Sequence, residues 1–144
     1  KKGFIQYQFV VPLEGKQGLV EILKKISDQG IGSFLAVLKI FGNDESLISF
    51  PMKGYTLALD IPVTEKLWPF LDELDKIVIS YGGRLYMSKD ARMHPDILEK
   101  GYPGLKEFKE IIRKFNRSSR GCSTSFACAS TRLWNSNNDN SRLI

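Results

Sequence analysis

The chain has 144 residues, of which 42% are hydrophobic and 26% charged. That suffices for one domain with a tail, and the ordinary balance excludes wholesale disorder, collagen-like repeats and a long coiled coil. No run approaches the ~20 apolar residues of a membrane span, and the net charge of +5 raises the question of a nucleic-acid partner.

The charge is unevenly placed. Residues 117–144 hold Arg117, Arg120, Arg132 and Arg142 against Asp139 alone, which leaves +2 for residues 1–116. The last 28 residues also contain seven serines, four asparagines and both cysteines, with no helical or strand period. They read as a disordered or non-native tail behind a domain of residues 1–116. Cys122 and Cys128 lack a second pair or a nearby His, so no metal site is expected. The chain has no initiator Met and no signal peptide before its first strand-like run, and so reads as part of a longer protein.

Phe4–Val11 alternates, with Ile5, Tyr7, Phe9 and Val11 on one face and Phe4, Gln6, Gln8 and Val10 on the other. That is a strand, stopped at Pro12. Leu19, Ile22, Leu23 and Ile26 recur at helical spacing between Gly15 and Gly30, with Gly30 as C-cap. Ser33–Phe41 is apolar apart from Lys39 and fits a central strand. Gly42–Ser46 is a loop, and Tyr55–Ile61 is the next strand.

Thr64 suits an N-cap before a helix marked by Leu67, Phe70, Leu71, Leu74, Ile77, Val78 and Tyr81, with Pro69 tolerated in the first turn. Gly82-Gly83 closes it and Arg84–Met87 is a short strand. Asp96–Lys100 suits a short helix, and Leu105, Phe108, Ile111, Ile112 and Phe115 mark a final amphipathic one. The order β-α-β-β-α-β predicts an α+β, ferredoxin-like split βαβ fold. It has an antiparallel sheet with two helices on one face, plus C-terminal helices.

RNA-recognition modules share this order, and Lys53-Gly54-Tyr55 matches the start of their third-strand motif. The match ends at Thr56, and Asp60 would repel phosphate, so no nucleic acid is expected. A non-enzymatic module that binds RNA or protein is the alternative class. His94, the only histidine, has neither a second His nor a nearby Ser or Cys in the body, so no hydrolytic triad is expected, and neither glycine-rich phosphate motif is present. Polar residues interrupting strands are more informative. Gln6 and Gln8 share one side, and Lys39 sits in an apolar run, where burial without a partner would cost several kcal/mol. Each also fits an ordinary exposed sheet face, and an edge position with its ammonium in water suits Lys39.

Four strings then occur in order: Ile5-Gln-Tyr-Gln-Phe-Val-Val-Pro12, Ser33-Phe-Leu-Ala-Val-Leu-Lys-Ile-Phe-Gly42, Leu47-Ile-Ser-Phe-Pro51 with Gly54–Pro62, and Gly82-Gly-Arg-Leu-Tyr-Met-Ser-Lys-Asp-Ala-Arg92. Over residues 4–116 they closely resemble the C-terminal part of FAD-linked oxidoreductases of the vanillyl-alcohol-oxidase superfamily. The resemblance implies a substrate domain that covers FAD held mainly by an N-terminal domain of the parent chain. The parent would oxidise a sugar hydroxyl, lipid-linked sugars included, and the fragment alone would be inactive.

Residue by residue, the resemblance makes Lys89 the catalytic ammonium beside the flavin and Tyr86 a flavin neighbour. Gln8, Lys39, Thr56 and Ala58 become substrate-binding positions, with Gln6 as a weaker neighbour. Ala58 stands where some members carry Cys, so thiol chemistry there is lost, and Thr56 stands where some carry Asn; both changes leave flavin chemistry possible and the exact sugar-lipid substrate open. The expected location is cytoplasmic. Peripheral attachment of the parent to a membrane and a homodimer of the fragment are left open.

Overall fold

The computed structural model describes residues 3–43, 46–89 and 92–118, with the side chains of 117 and 118 excepted. The elements in order are β1 (Phe4–Pro12), a short 3₁₀ turn (Leu13–Gly15), α1 (Lys16–Asp28), β2 (Ala36–Phe41), β3 (Gly54–Pro62), α2 (Leu67–Ser80), β4 (Arg84–Leu85), α3 (Pro95–Gly101) and α4 (Leu105–Ser118). The four strands form one antiparallel sheet in the order β2-β3-β1-β4. This is the α+β split βαβ arrangement expected from the element order.

The alternation of β1 decides the layering. Tyr7, Phe9 and Val11 are buried, and Phe9 and Tyr7 stand opposite Leu57 and Leu59 of β3. These residues meet Leu19, Ile22 and Ile26 of α1 and Phe70, Leu71, Leu74 and Val78 of α2 in one core. Both helices therefore cover the same face, and the even-numbered residues of β1 lie on the other.

Both helix C-termini close as their glycines imply. Gly30 and Gly82 take left-handed backbone, φ 62° and 72°, which carries no Cβ penalty for glycine. The following amides return to the helices, Ile31 N–H to Ile26 O at 3.3 Å and Gly83 N–H to Val78 O at 2.9 Å. At the start of α2 the Thr64 side chain makes no capping bond. Its carbonyl accepts from Leu67 N–H at 3.1 Å, and Lys66 holds the cap position.

One expectation is overturned. Ser33–Phe41 is not a central strand: β2 begins at Ala36 and lies at the sheet edge. An apolar run suggests burial on both faces, but Phe34, Leu35, Leu38 and Ile40 are all exposed, Ile40 at 67%. Asp60 N–H to Leu35 O and Phe34 N–H to Asp60 O, both 3.0 Å, extend the pairing just before β2.

Residues up to Leu105 form one compact unit, and α4 lies in a second. Taken by itself, α4 aligns Leu105, Phe108, Ile111, Ile112 and Phe115 on one stripe. It runs to Ser118, so the first two residues of the expected tail are helical, while residues 119–144 with both cysteines lie outside the described residues. Among the described residues no helix is long and apolar enough to cross a membrane.

Candidate functional site

The strand register collects polar side chains on the face opposite the helices. Gln6 stands opposite Asp60, Gln8 opposite Ala58 and Val10 opposite Thr56. Across β3, Ala58 faces Val37 and Thr56 faces Lys39. Arg84 pairs with Val10, and Tyr86 N–H donates to Gln8 O at 2.9 Å, which brings Tyr86 beside Gln8. Because paired residues share a face, Gln8, Lys39, Thr56 and Ala58 occupy one surface. The resemblance had named all four.

Part of that surface is closed by the segment between β2 and β3. Phe50 is buried, stacked on Tyr86 with ring centroids 4.5 Å apart and planes 24° apart, and edge-on to Phe41 at 5.9 Å. Arg84 Nη1 donates to Ser49 O at 2.7 Å and anchors the segment. The guanidinium also lies 5.5 Å from the centre of the Tyr102 ring. Tyr102 donates its hydroxyl to Leu85 O, and burial pushes its pKa up to about 12 against the opposing pull of Arg84.

The rest of the surface is polar and accessible. Gln6 Nε2 donates to Asp60 Oδ1 at 2.9 Å. Gln8 Nε2 donates to Thr56 Oγ1 at 3.3 Å, and Thr56 Oγ1 donates to Phe9 O at 2.8 Å. Thr56 is only 2% exposed, so it can reach a ligand only through Gln8. Lys39 is exposed on the edge strand, with its ammonium accessible to water or to an anion. Lys89 is exposed in the turn after β4, where its N–H donates to Tyr86 O at 3.0 Å.

Sequence reasoning missed three contributors. Asp60, in sequence only a repeller of phosphate, is the partner of Gln6. Phe50 and Arg84 lie in the quoted strings, but no periodicity shows that a loop folds back over a sheet. The aromatic Tyr55 sits on the helix side opposite Val11, so it offers no stacking platform on the open face.

A second polar cluster lies in the helix layer. Tyr7 donates to Asp75 Oδ1 at 2.8 Å, and Arg92 bridges Asp75 and Asp72 at 2.9 and 2.6 Å. It borders a cleft of about 590 Å³ lined by Trp68, Lys76, His94 and Lys100 among others, with none of the expected site residues. Among the described residues no group of His, Cys, Asp and Glu is arranged to hold a metal ion.

No family model matches the chain. Over 112 residues, 77% of its length, it is 40% identical to decaprenylphosphoryl-beta-D-ribose oxidase of Mycolicibacterium smegmatis, spanning 24% of that protein. Over 120 residues, 82% of its length, it is 32% identical to an uncharacterised protein in the mprA 5′ region of Streptomyces coelicolor, spanning 33% of it. The chain thus covers between a quarter and a third of these relatives. Over that stretch the chain is similar to part of an FAD-linked oxidoreductase, decaprenylphosphoryl-beta-D-ribose oxidase.

Proposed function

We propose that the chain is the substrate-binding domain of an FAD-dependent oxidoreductase that oxidises a sugar hydroxyl, lipid-linked sugars included. Its main support is the strand register. It places Gln8, Lys39 and Ala58, with the buried Thr56 between them, on the sheet face away from the helices that fill the core. A domain with no further partner has little reason to leave such a surface uncovered, and the matched stretch is only 24% and 33% of the two relatives. A flavin-binding domain elsewhere in the parent chain is the expected cover, and the fragment alone is expected to be inactive.

The residues present fit one side of a flat cofactor. Val37 and Ala58 form a small apolar floor, Gln6, Gln8 and Lys39 supply polar contacts, and Tyr86 is held rigid by Phe50. Flavin, when bound, supplies a two-electron acceptor for hydride. The chain's part is to orient and to stabilise charge. Gln8 and Lys39 hold the sugar, Tyr86 packs at the cofactor, and the Lys89 ammonium stabilises negative charge that develops beside it.

The test is visible flavin absorbance on the purified parent protein, with this chain alone as control. A parent that carries flavin and loses turnover on Lys89→Ala supports the proposal. A parent without flavin overturns it.

A further inference from the structure

Hydrogen-bond polarity on the open face is fixed by neighbouring groups of β3. A carboxylate at neutral pH only accepts. Gln6 therefore presents its NH₂ to Asp60 Oδ1 at 2.9 Å. Thr56 has one hydroxyl hydrogen, given to Phe9 O at 2.8 Å. Toward Gln8, at 3.3 Å, the same hydroxyl can only accept, so Gln8 also presents its NH₂. Both amides thus direct their donors at β3. Their Oε1 atoms lie at the other end of each amide, and no described residue donates to either. Neither amide can turn without setting a carbonyl against the Asp60 carboxylate or against a hydroxyl whose hydrogen is already committed.

We infer that Asp60 and Thr56 are positioning residues that turn the Gln6 and Gln8 carbonyls outward, so that this face selects a ligand by its hydroxyl donors. The inference rests on the sugar-substrate reading and narrows it. The ligand meets the Gln6 and Gln8 carbonyls through free hydroxyls, and an analogue with ether oxygens in their place leaves both carbonyls without a donor. Asp60 is the stricter of the two, because a carboxylate has no donor state to offer at neutral pH while a hydroxyl can rotate.

The experiment uses the 144-residue chain labelled with ¹⁵N, with the backbone spectrum as the check on folding. In the free protein, one Gln6 side-chain NH₂ proton is expected downfield and slow to exchange. Asp60→Ala should abolish that signature, and Asp60→Asn should weaken it while leaving Gln8 unchanged. The probes are methyl β-D-ribofuranoside and its tri-O-methyl ether. The free glycoside should shift the Gln6 and Gln8 side-chain signals at about tenfold lower concentration than the ether. In Asp60→Asn, where Gln6 can turn, that ratio should fall towards one.

Equal responses to the two probes in the wild-type chain, an unchanged ratio in Asp60→Asn, or no shift from either probe would each overturn the inference. Failure of the flavin reading shows separately, as a parent protein without flavin. The probe ratio would then still establish a hydroxyl-selective face.

Discussion

Phe50 stacks on Tyr86 at 4.5 Å and thereby ties the segment between β2 and β3 to the strand end after β4. Phe50 is buried and touches Phe41 as well, so its ring closes one end of the open face. Phe50→Ala should destabilise the domain by about 3–5 kcal/mol, as large-to-small changes at buried aromatics do. Phe50→Leu should cost less but still free the Tyr86 ring. Urea denaturation measures the first, and ring-flip broadening of Tyr86 in NMR spectra the second.

Asp75 is 2% exposed and joins Tyr7 of β1 to Arg92 before α3. Removing Asp75 takes this acceptor from the Tyr7 hydroxyl and leaves Arg92 its ion pair with the exposed Asp72. Asp75→Ala is therefore expected to cost about 2–4 kcal/mol, less than for a charge left with no partner. Tyr7→Phe removes one hydrogen bond and keeps the packing, so about 1–2 kcal/mol is expected. Equal losses in denaturant titrations of the two variants would show that the ion pair adds nothing beyond the hydroxyl.

At Gly54 an added Cβ would come within 2.0 Å of Val11 O, which is backbone and cannot swing away. Gly54 pairs with Pro12 at the end of the central β1–β3 ladder. Gly54→Ala should break that end of the ladder and reduce soluble yield sharply. At Gly82 an added Cβ would make only an ordinary contact with Pro12 Cγ at 3.7 Å, and the left-handed backbone alone resists it, so for Gly82→Ala a loss of about 1 kcal/mol is expected by thermal melting.

Tyr102 supplies a pH dependence. Burial raises its pKa from 10.0 to about 12. The folded state therefore holds the phenolic proton after the unfolded state has lost it. The contribution to stability is whole below pH 10 and is lost as pH rises from 10 towards 12. Tyr102→Phe should remove that slope. Denaturation midpoints across this range, with tyrosinate absorbance as monitor, check the sign.

Lys89 is exposed, so Lys89→Ala should leave domain stability within about 0.5 kcal/mol of wild type. In the flavin-loaded parent the same change is expected to lower turnover about 10²-fold, the size seen when one charge-stabilising donor is removed. Wild-type turnover in the variant would remove Lys89 from the chemistry.

Much of the layering was legible because β1 alternates cleanly. Tyr7 and Phe9 could only face a core, which placed Gln6 and Gln8 on the other side. The helix ends were legible because Gly30 and Gly82 are residues that tolerate left-handed backbone. The edge position of β2 was not legible. Apolar content reports what a strand can bury, whereas its neighbours in the sheet are set by pairing at long sequence separation. The partnership of Gln6 with Asp60 was hidden for the same reason, since 54 residues separate them and only the register joins them. Phe50 was hidden because a loop that returns over a sheet has no period.

The exposed edge of β2 has a practical consequence. Lys39 is the one charge in Ala36–Phe41, set among apolar side chains on a strand with an unpaired side among the described residues. Such edges recruit further strands, and a lysine on them acts as a gatekeeper against that stacking. Replacing Lys39 with Met or Leu to probe ligand binding would thus also promote association between molecules, and the two losses would look alike. Lys39→Gln, assayed at several protein concentrations, keeps the edge polar and separates recognition from solubility.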